Sequence, residues 1–133
     1  KNFWPSIFSS SRKLKKAYPI DISLSLAYFD IPPERILETK IFSAFDFDFY
    51  WREKNKEIDF IFVKGKKILP IEVKYKREIQ KGDIKTLEYF IDKYKVDKGI
   101  MIYLGENKKL EKIDCLNYID ALYFGKELLQ KYI

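Results

Sequence analysis

Histidine is absent from the 133 residues, cysteine and methionine occur once each, and glycine only five times. Without imidazole the chain has no histidine acid–base pair and cannot build most zinc sites. The lone Cys115 has no partner for a disulfide or a thiolate cluster, and its apolar flanks read as packing. No segment has the GxxxxGK[ST] spacing of a phosphate loop, which excludes ATP hydrolysis by that route. There is no run of the roughly eighteen apolar residues that a membrane helix needs, nor an opening that resembles a signal peptide. Cytoplasm is therefore the expected location, with no membrane partner. Any reactive site has to be built from carboxylates, Lys, Arg, Tyr and backbone, and oxygen ligands of that kind suit magnesium or manganese.

What is present supports one domain with a real core. Apolar residues make up 47%, including 11 Phe and 10 Tyr, which argues against global disorder. Lys and Arg number 26 against 20 Asp and Glu, a net +6. That excess fits a polyanionic partner, while a 35% charged fraction rich in Lys and Glu also fits heat adaptation. Composition leaves both open. The chain opens on Lys1 rather than Met and reads as a piece of something longer. Residues 1–30, with the basic, turn-rich SSSRKLKKAYPI (9–20) and Asp21 as cap of a short helix, read as an appendage or the end of a preceding domain.

From residue 31 to 133 the pattern is that of an α/β domain. Pro32 and Pro33 suit a first helical turn, where the missing N–H groups have no partner to lose. Ile36, Leu37, Ile41, Ala44 and Phe45 then recur at helical spacing. Strands are expected at Phe47–Arg52, Ile58–Val63 and Ile68–Tyr75, the last two joined by a hairpin through Gly65. A second helix runs from Gly82-Asp83 to about Tyr94, and the continuous apolar Gly99–Leu104 reads as a strand buried on both faces. Lys112–Leu116 reads as a short strand and Tyr118–Tyr132 as one closing helix. The order is α-β-β-β-α-β plus a β-α tail, a mixed sheet flanked by helices.

In PIEVKY (70–75) the period of two puts Glu72 and Lys74 on one face and Ile71, Val73 and Tyr75 on the other. A carboxylate and an ammonium beside apolar strands are costly to bury unless paired or bound to a metal. In EIDFIFV (57–63), alternation sets Ile58, Phe60 and Phe62 against Glu57, Asp59, Ile61 and Val63. The hairpin through Gly65 brings Asp59 toward Glu72. Two carboxylates and a lysine at one place can hold a divalent cation, orient a water and stabilise charge on a phosphate. The plainer account of Glu72 and Lys74 is an ion pair on a solvated strand face. Trp4 and Trp51 read as packing, and Glu57 as a strand-end charge.

Asp59, then Glu72-Val73-Lys74 after twelve intervening residues, preceded by a helix bearing Glu38, resembles the PD-(D/E)xK nuclease superfamily. More narrowly, ILETKIFSAF (36–45), FYWREKNKEIDFIF (49–62) and PIEVKYK (70–76) resemble the nuclease-like domain at the C-terminal end of archaeal and bacterial AAA-type ATPases. The resemblance covers roughly residues 18–125, with Ile58 where the superfamily's motif names a proline. It implies a restriction-endonuclease-like core and a Mg- or Mn-dependent endonuclease or exonuclease acting on DNA, attached to an ATPase portion. Asp59, Glu72 and the carbonyl of Val73 would be metal ligands, and Lys74 would position the attacking water or stabilise the phosphate. Glu38 would be an outer or second-metal ligand, and Lys85 and Tyr89 would lie near the site. Lys76, Arg77 and Lys81 come directly after the E-x-K strand, where they would add sequence-independent affinity for DNA. Lys64, Lys66 and Lys67 on the hairpin tip read instead as solvated. The alternative is a non-catalytic domain that keeps the fold to bind DNA or to regulate its ATPase, and a plain protein-interaction domain is a third class.

Overall fold

The computed structural model describes residues 31–45 and 49–132, so the expectations for residues 1–30 and for a strand beginning at Phe47 lie outside the described residues. In chain order the ten elements are α1 (Pro33–Phe45), β1 (Phe49–Glu53), β2 (Lys56–Lys64), β3 (Lys67–Val73), α2 (Lys81–Tyr94), β4 (Gly99–Tyr103), β5 (Lys108–Leu110), β6 (Ile113–Asn117), α3 (Tyr118–Phe124) and α4 (Lys126–Leu129). The strands form one mixed sheet in the order β1-β2-β3-β4-β6-β5. The first three pair antiparallel, β3, β4 and β6 run parallel, and β5 closes the far edge antiparallel to β6. The fold is α/β, and its order is the expected α-β-β-β-α-β with a longer tail.

Each face of the sheet buries its own core. Trp51, Ile58, Ile61, Met101 and Cys115 meet Leu87, Phe90 and Ile91 of α2 on one side. Phe60, Leu69, Ile71, Val73, Ile100 and Ile102 meet Leu37, Ile41 and Phe45 of α1, with Ala121 and Leu129, on the other. Helix α1 exists because Leu37, Ile41 and Phe45, at fourfold spacing, share one stripe that the sheet covers. Strand β4 is buried at all five positions, as its unbroken apolar run requires. Cys115 is fully buried, which pushes its thiol pKa up and fits the packing role.

Three sequence expectations need correction. The first is the alternation in β2. Ile58 and Ile61 both pack on the α2 face, while Phe60 and Phe62 pack on the other. The cause is a register shift: Phe49 pairs with Ile61 but Trp51 pairs with Ile58, so three steps of β2 oppose two of β1. Such a bulge inserts one residue and reverses the phase of the strand beyond it. The second is the single closing helix, which breaks into α3 and α4 at Gly125. That residue has φ +52, and a Cβ there would stand 3.0 Å from the Ala44 carbonyl oxygen. The third is β5, whose three residues, Lys108, Lys109 and Leu110, show no apolar alternation and are recognisable only from their pairing with β6.

Candidate functional site

The site forms where β2 and β3 stop pairing. The ladder runs from Lys64↔Lys67 to Phe60↔Ile71 and ends one residue short of Asp59 on β2 and of Glu72 on β3. Here a side chain replaces the ladder: the Val73 N–H donates to Asp59 Oδ2 at 2.9 Å. Asp59 sits within the bulged stretch between Ile58 and Ile61, where the regular backbone ladder is interrupted. On its other side β3 continues to pair, with Glu72 beside Met101 and the Lys74 N–H donating to the Ile102 carbonyl at 2.9 Å.

Both carboxylates are inside the protein. Asp59 is 8% exposed and Glu72 7%, two of only four polar or charged residues buried among the described residues. Like charges close together on neighbouring strands are unfavourable unless something offsets them. Lys74 is part-exposed, two residues beyond Glu72. Among the described residues no carboxylate lies within ion-pair distance of its ammonium. Its charge contributes, after Lys76, to favouring the ionised form of Asp83 in the first turn of α2.

Asp83 is the neighbour that the sequence reading missed. Its carboxylate takes the Gln80 N–H at 2.9 Å and the Lys76 ammonium at 2.8 Å, so it starts α2 and anchors the loop after Lys74. Burial opposes its ionisation. The bonds from Lys76 and Gln80, with the charges of Lys76 and Lys74, outweigh that and hold its pKa below the ordinary range. The signal was available as Gln80-x-x-Asp83, a polar pair with the spacing of a helix start. The loop is closed from the other side by β4: the Leu104 N–H donates to the Lys76 carbonyl at 2.9 Å. Gly105 then packs so tightly that a Cβ would collide with the Arg77 carbonyl oxygen and the Tyr103 ring.

The remaining sequence candidates fall in different places. Glu38 is half-buried on α1, paired with Arg35 at 3.5 Å, and α1 covers the face opposite α2. Among the described residues no three acidic, His or Cys side chains come together as a metal-holding group, so Glu38 does not join Asp59 and Glu72. Tyr89 is turned to the sheet's first edge, where its hydroxyl donates to Glu53 at 3.0 Å and its ring lies under Lys56. Lys81 and Lys85 are exposed along α2. Arg77 is exposed and lines a groove with Tyr75, Leu104 and Ile119. Lys76 is held by Asp83, and Glu57 pairs with Arg52 at 3.0 Å as a strand-end charge.

A divalent cation is compatible with the donors present. Two carboxylates and a backbone carbonyl are hard-oxygen ligands, and magnesium commonly takes one or two carboxylates while keeping several waters.

A family model described as Domain of unknown function (DUF4143) matches residues 40–122, well over half of the chain and all of the site except Glu38. The chain belongs to that family. No curated protein and no solved structure matches it.

Proposed function

We propose that this DUF4143 domain is a metal-dependent, nuclease-like unit that hydrolyses DNA phosphodiester bonds as the terminal part of an ATPase. The observation that carries the reading is the pair of buried carboxylates, Asp59 and Glu72, on neighbouring strands at the point where those strands stop pairing, with Lys74 two residues after Glu72. In AAA ATPases the domain of this family is C-terminal, the position that the resemblance to nuclease-like domains implies. Asp59 and Glu72, with the Val73 carbonyl, would hold magnesium or manganese, which when bound acts as a Lewis acid toward phosphate and acidifies water. Lys74 supplies a fixed positive charge for the negative charge that develops on the phosphate. Lys81 and Lys85 add salt-dependent attraction along the approach. Asp83 is a positioning residue, since it holds Lys76 and the start of α2 beside Lys74.

A second reading, a non-catalytic domain that binds DNA or regulates its ATPase, is favoured by one specific observation. Asp59 already spends an oxygen on the Val73 N–H, as a structural lock between strands would. The two are separated by incubating the chain with plasmid and branched DNA plus magnesium or manganese, beside Glu72→Ala and Lys74→Ala. Cleavage lost in both variants is the result expected of a nuclease. Identical behaviour of wild type and variants rejects hydrolysis and leaves the second reading.

A further inference from the structure

The lysines that the sequence scatters are gathered by the fold along β5 and β6 and at the start of β3, in clefts that Asp59 and Glu72 do not line. A cleft of about 620 Å³ beside β5 and β6 is lined by Lys98, Lys108, Lys109 and Lys131. A smaller one of about 120 Å³ adjoins it through Lys98 and Tyr132 and adds Lys66 and Lys67 from the β2–β3 turn and Lys95 from the end of α2. The acidic residues along both are Asp97 and Asp114.

One of those aspartates is already neutralised. Asp114 is 5% exposed, takes the Lys98 ammonium at 2.9 Å and accepts the Tyr132 hydroxyl at 2.7 Å, making a rigid floor to the larger cleft. The other six lysines are exposed, and among the described residues none lies within ion-pair distance of a carboxylate. Charge is also segregated across the sheet. The cleft on the α2 side of the same edge is lined by Glu88, Asp92 and Glu111, with Lys112 as its one basic residue. Heat adaptation mixes both signs into surface networks; unpaired lysines along one concave track, with acids moved to the neighbouring face, raise the local potential for anions.

We infer that these adjoining clefts bind a chain of phosphates, the chemistry shared by a single-stranded nucleic-acid backbone and an inorganic polyphosphate. The lysines come from four separate segments spread over two clefts, which suits an extended polyanion better than one compact phosphate. This site is separate from the carboxylate pair and does not depend on the pair being catalytic.

The test is fluorescence anisotropy of the 133-residue chain with a labelled single strand of about 20 nucleotides, repeated with inorganic polyphosphate as competitor. Six contacts predict a slope of roughly −4 in log affinity against log salt, at about −0.7 per contact for single strands. Lys95→Glu, Lys108→Glu, Lys109→Glu and Lys131→Glu combined should flatten the slope to about −1.4 and cost at least about 100-fold at low salt. Lys112→Glu, on the acidic cleft of the α2 side, should bind as wild type does. Displacement by polyphosphate or binding of the oligonucleotide alone identifies the source, and both require the four lysines. An equal loss in Lys76→Glu, Lys81→Glu and Lys85→Glu combined overturns the assignment, as does the absence of binding to either probe at low salt.

Discussion

Replacing Glu72 by Gln tests the carboxylate pair without relying on cleavage. The substitution keeps shape and removes one of two buried carboxylates that sit on neighbouring strands just past the end of their ladder. At about 5 Å, the usual separation of facing residues, and an effective dielectric of about 20, two like charges repel by roughly 3 kcal/mol. Lys74 offsets part of this, so 1–2 kcal/mol of relief, roughly, is expected for Glu72→Gln without metal. For a domain of this size that raises the thermal midpoint by about 3–8 °C. Manganese reverses the order. At 100 times its dissociation constant a ligand adds about 2.7 kcal/mol to the native state, so the wild type should gain about 10 °C and Glu72→Gln almost nothing. Differential scanning fluorimetry across a manganese series, with calcium and a chelator as controls, reads both effects. If Glu72→Gln is the less stable protein without metal and manganese leaves the wild type unmoved, the pair is a structural cluster and the metal reading is wrong.

Other perturbations check other parts of the structure. Asp114→Asn should cost about 2 kcal/mol, because it weakens charge-assisted bonds from Lys98 and Tyr132. Burial opposes ionisation of Asp114, but those bonds win and depress its pKa. Its contribution is therefore present above the unfolded value near 4 and is lost as pH falls through the lower folded value, so urea midpoints of Asp114→Asn should show a flatter acid limb. Burial and the bond to Asp114 raise the Tyr132 pKa, so stability should fall as pH rises past about 10 in wild type and not in Tyr132→Phe. Asp83→Ala should cost about 1 kcal/mol through the lost bond to the Gln80 N–H. The Lys76 pair is too exposed to add much, so the cost should persist in high salt. Gly105→Ala should destabilise by about 1–3 kcal/mol in urea titrations, since the added methyl displaces the Arg77 backbone and the Tyr103 ring.

The fold was legible where periodicity and burial agree. Leu37, Ile41 and Phe45 mark one helix face, and Gly99–Tyr103 is apolar throughout because both its faces are covered. Parity also placed Ile71 and Val73 together, and both lie in the core under α1. It failed in β2 because a bulge is a property of pairing between strands, and nothing in KEIDFIF announces that Ile58 and Ile61 will share a side. β5 escaped for a related reason: Lys108 and Lys109 enter the sheet through backbone bonds to β6, not through apolar side chains. The lysine clefts were invisible too. Lys66, Lys95, Lys108 and Lys131 are unrelated in sequence, and only the sheet order makes them neighbours.

That bulge bears on how the site arises. An uninterrupted ladder would pair β2 and β3 to their ends and satisfy the Val73 N–H with a backbone carbonyl. The extra residue near Asp59 breaks the regular run, and the Asp59 side chain takes the donor instead. A carboxylate is thereby fixed against the end of β3, beside the residue that follows Glu72. β3 spans seven residues, roughly 20 Å at about 3.3 Å per residue, with Lys67 and the smaller basic cleft at its start and Glu72 near its end. Binding of a polyanion and chemistry on a phosphate are thus assigned to different sets of residues. Affinity can then be altered at the lysines without disturbing the acids, which makes the two proposals separable by mutation.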